Sequence, residues 1–339
     1  IKTPKRTIPF AISHRTFEAS QLDLPQNSLQ DYLTRVPGLY AQNTQNFAQD
    51  LRVSIRGFGA RSGFGIRGIQ LIVDGIPETT PDGQGQLDNL PLGLIHSLTV
   101  LRGPASTFYG NASGGVIQIN TLDDFKENFV RLRLQSGSYS SKNLAATLGW
   151  KTNKTKAVLY QNLSESQGYR DHSQYKQRVF NAKIWHELSS SSQIRWQFNY
   201  TNSPFAFDAG GINMEIVKED RKQARPQNKT FQTFETVDHL KTGLQWEKQI
   251  SNKLTWESYA FYAHRDFVGR LPFEYGGFVD LKRNYYGLGS ALEFQPQNNH
   301  RMQFRFSLAD QKDHRKRFKN LSGSKGDNTL DQEELFFNS

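Results

Sequence analysis

The chain has no cysteine and only two methionines among its 339 residues. Without thiols it can build neither a disulfide framework nor a thiolate metal centre. No apolar run approaches the ~18 residues that a membrane-crossing helix needs, so any crossing must be made by strands. The start at Ile1 has no methionine, basic n-region or apolar h-region, so any signal peptide is expected to have been removed. Histidines and carboxylates are scattered, with no nucleophile and base at a recognisable spacing. Asp327, Asp331, Glu333 and Glu334 lack the order of a calcium loop and suit a solvated loop better. The expectation is therefore no enzyme, no cofactor and no metal site.

Two short motifs fail on context. Gly63-Phe64-Gly65-Ile66-Arg67-Gly68 fits a dinucleotide pattern, but Ile69 to Val73 is a β-type run, so no helix is available to face a pyrophosphate. Ser322-Gly323-Ser324-Lys325 fits S-x-x-K without a helix to align the lysine with the serine. The net charge of +10 raises binding of single-stranded nucleic acid, but the cations are spread over the chain and no aromatic-plus-glycine RNA signature occurs, so no nucleic-acid partner is expected. The one dense basic run, Lys312 to Lys319, suits contact with lipopolysaccharide or a solvated charge run.

What the chain does have falls into two parts. Residues 1–122 carry short β-rich runs closed by Gly or Asp-Gly, including Asp74-Gly75 and Asp82-Gly83. Asn27 to Asp31 gives a capping signal before a short helix that stops at Pro37-Gly38, and Pro91 to His96 suits a second helical turn before a strand at Ser97 to Leu101. The expectation is a mixed α+β domain. Gly57, Gly59, Gly63, Gly65 and Gly68 surround Arg56, Arg61 and Arg67, a loop that either cradles an anion or is a flexible connector.

From about residue 128 the period is two. Val130, Leu132 and Leu134 alternate with Arg131, Arg133 and Gln135, and Met302, Phe304, Phe306 and Leu308 alternate with Arg301, Gln303, Arg305 and Ser307. Nine such segments are countable. A soluble β-sandwich would share this period; the connections favour a transmembrane barrel, because they alternate between short (Lys151 to Asn153, Ser189 to Ser191, Ser251-Asn252, Gln297-Asn298) and long (Ser164 to Gln174, Ser203 to Gln232, Val268 to Lys282). Trp150, Tyr169, Tyr200, Phe205 and Phe207 suit interfacial girdles. Residues 311–339 are expected to be an external loop. The connection over residues 203–232, with Gly210-Gly211 and the cations Lys218, Arg221, Lys222 and Arg225, is either a lid over bound substrate or a basic loop on lipopolysaccharide.

Four runs in order, Ser54 to Phe58 (SIRGF), Val73 to Pro77 (VDGIP), Leu101 to Ser106 (LRGPAS) and Tyr109 to Thr121 (YGNASGGVIQINT), resemble the plug domain of TonB-dependent outer-membrane receptors. The resemblance covers roughly the first third of the chain. It implies a plug domain over residues 1–122 and, over 123–339, the N-terminal part of an outer-membrane β-barrel, about nine strands of the family's 22. It further implies import of a scarce ligand, foremost a ferric siderophore or ferric chelate, with a redox cofactor, cobalamin or oligosaccharide as alternatives and a passive porin or adhesin as a distant one. The location implied is the outer membrane of a Gram-negative bacterium, and the partners are TonB with its inner-membrane complex, the ligand, and outer-membrane lipid and lipopolysaccharide. No TonB-coupling segment is recognisable in Ile1 to Phe10, so it lies upstream or is lacking. Ligand binding at the plug apex is assigned to Arg61, Arg67, Gln84, Gln86 and Tyr109, because Arg offers a bidentate fork to carboxylate or catecholate oxygens. Arg56 and Arg102 are assigned to lock plug to barrel by pairing with barrel glutamates, partners expected to lie outside this chain.

Overall fold

The fold is described from a computed structural model over residues 13–18, 26–42, 46–49, 51–60, 62, 65–103, 109–110, 112–297 and 300–339. The smaller part contains β1 (Ser13–Glu18), helix α1 (Gln30–Leu33), β2 (Leu39–Gln42), β3 (Arg52–Ile55), β4 (Ile66–Arg67), β5 (Ile69–Val73), β6 (Ile76–Pro77), β7 (Gln84–Gly85), β8 (Ile95–Arg102) and β9 (Gly115–Thr121). Its main sheet has the order β1-β8-β9-β5-β6, with β5 parallel to β9. One face of that sheet buries Leu71, Leu98, Val100, Ile117 and Ile119 against Tyr32, Leu33 and Val36 of the helical segment. The alternative to this burial is exposing β-branched side chains worth ~1.5–3 kcal/mol each, which explains why strands this short hold together. Helix α1 is shorter than its capping signal suggests, and no side chain caps it; Ser28 Oγ instead accepts from Gln30 N at 3.2 Å. The second helical turn is a 3-10 turn at Leu92–Leu94, whose entry residue's neighbour Leu92 accepts a hydrogen bond from Tyr32 Oη through its carbonyl.

The larger part is one antiparallel sheet of ten strands in sequence order: β10 (Phe129–Gly137), β11 (Ser141–Lys151), β12 (Thr155–Ser166), β13 (Tyr175–Ser189), β14 (Ser192–Phe207), β15 (Phe234–Ser251), β16 (Leu254–Arg270), β17 (Phe278–Gln297), β18 (His300–Leu321) and β19 (Ser324–Asn338). The sheet is curved around the small domain but not closed. Its burial is inverted relative to a soluble sandwich: on β11 Leu144, Leu148 and Trp150 are exposed while Asn143 and Thr147 are buried, and on β18 Phe304 and Phe306 are 69% and 57% exposed. An apolar outer band with a polar, occupied interior is the pattern of a membrane barrel, and it removes the soluble-sandwich alternative.

Two expectations are corrected here. The sheet has ten strands, not nine, because residues 311–339 are not a loop: they extend β18, turn at Ser322 and Gly323 (φ 48° and 99°) and return as β19. The alternation that marks membrane strands ends at Leu308. Beyond it both faces carry charge, so the strand pair continues where no apolar side is required. Likewise residues 203–207 belong to β14, and the connection that follows holds two short helices, α2 (Met214–Asp220) and α3 (Pro226–Thr230). Asn213 caps α2 by accepting from Ile216 N at 3.0 Å, and Pro226 opens α3 at a position where its missing N–H costs nothing.

Candidate functional site

The contact between small domain and wall is the chemically distinctive part of the molecule. Five consecutive strands each turn one cation into the lumen: Lys183 on β13, Arg195 on β14, Lys241 on β15, Arg265 on β16 and Arg283 on β17. They meet one stretch of the small domain, residues 74–88, in which Asp74, Glu78, Asp82 and Asp88 recur every four to six positions. Lys183 Nζ, fully buried, lies 3.1 Å from Asp74 Oδ2, and Arg195 Nη2 and Gln245 Nε2 donate to the Asp74 carbonyl at 2.6 and 2.9 Å. Lys241 Nζ donates to Glu78 Oε2 at 2.5 Å and to the Pro77 carbonyl at 2.6 Å, and Arg265 grips both Asp88 oxygens at 3.2 and 2.6 Å. Arg283 is held bidentately by Asp313 at 2.8 and 2.6 Å and reaches Asp82 at 3.5 Å and Gln84 Oε1 at 3.2 Å.

Four of the five cations are paired with a carboxylate and Arg195 is held by the Asp74 carbonyl, so the interface is strong in sum yet polar enough to exchange partners with water. Asp74 shows the balance. Burial presses its carboxyl toward protonation, but Lys183, Arg195 and the hydroxyl and N–H of Thr121 outweigh that and hold its pKa below 3.8. Asp82 is treated likewise: burial raises it, and Arg283, Thr80, Gln84 N and Arg67 bring it below 3.8. Apolar contact is concentrated, beside these ion pairs, in two places. Ile76 sits among Phe261, Ala263 and Tyr285, and a Cβ on Gly243 would collide with its Cδ1; Leu94 sits among Ala145, Val158, Tyr160, Val179 and Trp185.

The residues expected at the apex separate. Arg67 and Gln84 are register partners on β4 and β7; Arg67 donates to the Asp82 carbonyl at 2.7 Å and to its Oδ2 at 3.2 Å, and half of its side chain stays exposed. Gln86 follows, with its Oε1 buried and unpartnered. Tyr109 is elsewhere: it packs against Ile72, Leu101, Ala112 and Val116, and Arg305 lies over its ring at 5.8 Å. Arg305 is six residues down β18 from Gln311, which accepts from Asp82 N, so Tyr109 stands roughly 20 Å along the wall from the Arg67 group. Arg61 lies outside the described residues. Of the lock residues, Arg102 donates to the Pro37 carbonyl at 2.6 Å, within the small domain, and Arg56 is exposed at φ 50°.

The long-loop end has contacts that sequence reasoning missed. Asn46 Nδ2 and Gln49 Nε2 donate to Asp208 at 2.8 and 3.0 Å, and the Phe47 ring stacks on Tyr175 with centroids 3.6 Å apart. Arg170, from the connection before β13, donates to the carbonyls of Ala209, Gly210 and Gln223 and so staples the long connection. Gly210, at φ 65°, leaves no room for a side chain, since a Cβ there would collide with the Asn228 amide, and it is a packed position rather than a free hinge.

Comparison with known proteins agrees with this geometry. The family model for the TonB-dependent receptor plug domain matches residues 4–116. The vitamin B12 transporter BtuB of Vibrio vulnificus is 26% identical over 216 residues, which is 60% of this chain and 33% of that protein. Among solved structures, the unliganded ferric citrate transporter FecA superposes with a TM-score of 0.77 at 18% identity, covering 96% of this chain and 51% of that one. The copper transporter OprC gives 0.73 at 14% identity with the same coverage, and the siderophore receptor PiuA of Acinetobacter baumannii gives 0.68 at 14%, covering 96% and 53%. At such identities the structural likeness speaks for the fold, and the chain spans about half the length of those structures. Plug sequence, inverted strand burial and the plug-filled curve of the sheet agree: the chain carries the plug domain of TonB-dependent receptors, followed by strands with the fold of such receptors' β-barrels.

Proposed function

We propose that the receptor to which this chain belongs imports a scarce ligand across the outer membrane of a Gram-negative bacterium, drawing energy through TonB and its inner-membrane complex. Residues 1–122 serve as plug and 123–339 as the first part of the barrel. The observation that carries this reading is the plug–wall interface, built from buried ion pairs: closed at rest, it is separable by a pull without unfolding an apolar core. The leading ligand is a ferric siderophore or ferric chelate, supported by the likeness to FecA, a ferric citrate transporter, and PiuA, a siderophore receptor. A cobalamin ligand is favoured by the one sequence relative described above.

In this reading Arg61, Arg67, Gln84 and Gln86 present the apex to an anionic ligand, with Tyr109 lower on the wall. Arg56 and Arg102 secure the plug against glutamates of further strands, and outer-membrane lipid and lipopolysaccharide surround the apolar band. Uptake by a deletion strain, measured with and without TonB on a panel of iron chelates and cobalamin, tests it. Loss of uptake of one iron chelate in the deletion strain, and its dependence on TonB, is the expected result; loss on cobalamin alone transfers the assignment, and TonB-independent uptake overturns the coupling. Replacing Arg61 and Arg67 together by Ala should weaken an anionic ligand by about 1–3 kcal/mol per lost charged bond, and unchanged affinity removes those two from the site.

A further inference from the structure

Three of the cavities between the plug and the strands of this chain stand in series. The uppermost, about 90 Å³, is lined by Asn46, Phe47, Asp88, Leu90, Tyr175 and Ser203 beneath the long connections. The middle one, about 40 Å³, shares Leu90 and is lined by Asp74, Asn89, Asn181, Asn199 and Lys241. The lowest, about 370 Å³, is lined by Arg195, Gln245, Glu247, Glu257, Glu293 and Arg301 near the short turns. The lower two stack directly: Gln197 and Gly243 line the middle cavity, while Arg195 and Gln245, the next inward positions on the same two strands, line the lowest. What separates them is the turn from Asp74 to Pro77. Its carbonyls are clasped by Arg195, Gln245 and Lys241, its carboxylate by Lys183, and Ile76 is bolted into Phe261, Ala263 and Tyr285.

We propose that the passage opens on this side, along β13 to β16, and that the Asp74–Pro77 turn is its closing element; the proposal rests on the import reading above. The walls on both sides of the turn suit a polar solute. Asn181 Oδ1, Asn89 Oδ1, both amide atoms of Asn199, Gln245 Oε1 and Arg195 Nε are buried without a hydrogen-bond partner among the described residues. Buried polar atoms in that condition gain when water or a hydrogen-bonding solute enters, so withdrawing the turn is compensated on the wall it leaves. The neighbouring contact, Leu94 in its apolar nest on β11 to β13, has no such reserve and holds the plug as the turn moves. Asp74 itself is at φ 50°, a conformation costly for a residue with a Cβ, and its bonds to Thr121 and Lys183 are what keep it there.

This chain contributes no background thiol to the test. In the complete receptor, Ile76→Cys with Gly243→Cys places two thiols at a contact already made, and each single variant is the control. Oxidation or a short bifunctional thiol reagent should abolish uptake while cells still bind ligand at their surface, and reduction should restore uptake. Uptake by the tethered receptor at the reduced rate overturns the gate. Failure of the reduced and single-cysteine receptors to take up any ligand of the panel indicts the import reading instead. If the pair does not assemble, K183M gives a second readout: the outer membrane should admit a large hydrophilic antibiotic that it otherwise excludes, and unchanged exclusion in cells with normal receptor levels counts against the turn as the closing element.

Discussion

Arg283 and Lys312 stand on neighbouring strands and each faces a carboxylate, yet they belong to different physical regimes. Arg283 is 2% exposed, bidentate to an Asp313 that is wholly buried, and linked through Asp82 and Gln84 to the plug. Lys312 meets Glu333 at 3.1 Å with both side chains more than half exposed. The same pairing is structural in one place and incidental in the other, because water screens the second and cannot reach the first. The lumen cations hold the plug; the cations on the outer extension of β18 decorate the strand pair. A net charge of +10 therefore says little until each cation is assigned to one of these regimes.

The largest expected effect comes from breaking the first regime. Arg283→Ala leaves the buried Asp313 without a cation and Asp82 with Arg67 alone, and removing one partner of a buried pair costs about 3–5 kcal/mol. The thermal midpoint of the complete receptor in detergent should fall, and amide exchange should quicken in β7 and the turn before it. An unchanged midpoint would show that the pair is replaceable by water, and the contrast with Lys312 would collapse.

Next is Ile76→Ala, which empties the apolar bolt without touching a charge. Truncating a buried Ile leaves a cavity and costs about 2–5 kcal/mol. Here the loss should be local. Exchange should rise in residues 74–79 while the plug core around Leu98 and Ile117 keeps its protection, whereas a uniform rise would mean that Ile76 supports the whole plug.

The two regimes explain how much could be foreseen. The helix near Gln30, the strands Ile69–Val73 and Ile95–Arg102, the inverted alternation and the short turns at Asn153, Ser191 and Asn252 were legible, since each is a local pattern of period, glycine or capping residue. The ion pairs were less so. Asp74 and Asp82 carry the turn signal Asp-Gly, and that second job hid their charge role; the visible hint was the lone lysine or arginine in the lumen register of five successive strands. Tyr109 is grouped with the apex residues because Gly-rich turns present such groups together, but whether a residue lies high or low in a lumen depends on how the plug sheet crosses it, which no local pattern encodes. The tenth strand escaped because Lys312 to Lys319 shows no greasy face outside the membrane band.

Acid offers a gentler probe of the inner regime. Because the Asp74 carboxyl is depressed below 3.8, its anchoring is complete above that unfolded value and is lost only as pH falls through the lower folded one. Asp82 behaves the same way. Plug protection should therefore be flat from neutral pH to about 5 and decline only below 3.8, the unfolded-state value. A decline already at mild acidity would place the controlling group elsewhere, with His172 the first suspect: burial lowers its pKa below 6.5, so protonation opposes its packing against Phe207 and would loosen the long connection first.

The smallest effect tests the outer regime. Lys312→Ala removes an exposed partner of Glu333, and such pairs contribute roughly 0–1 kcal/mol, less in salt. The midpoint of the receptor should move by no more than the error of the measurement, and raising ionic strength should erase whatever shift is seen at low salt. Arg283→Ala measured side by side should keep its full loss at high salt, since its partners lie beyond the reach of the ionic atmosphere. If instead Lys312→Ala proved as costly as Arg283→Ala and equally indifferent to salt, the β18–β19 extension would be covered in the assembled receptor, and the division between inner and outer cations would have to be redrawn around that covering surface.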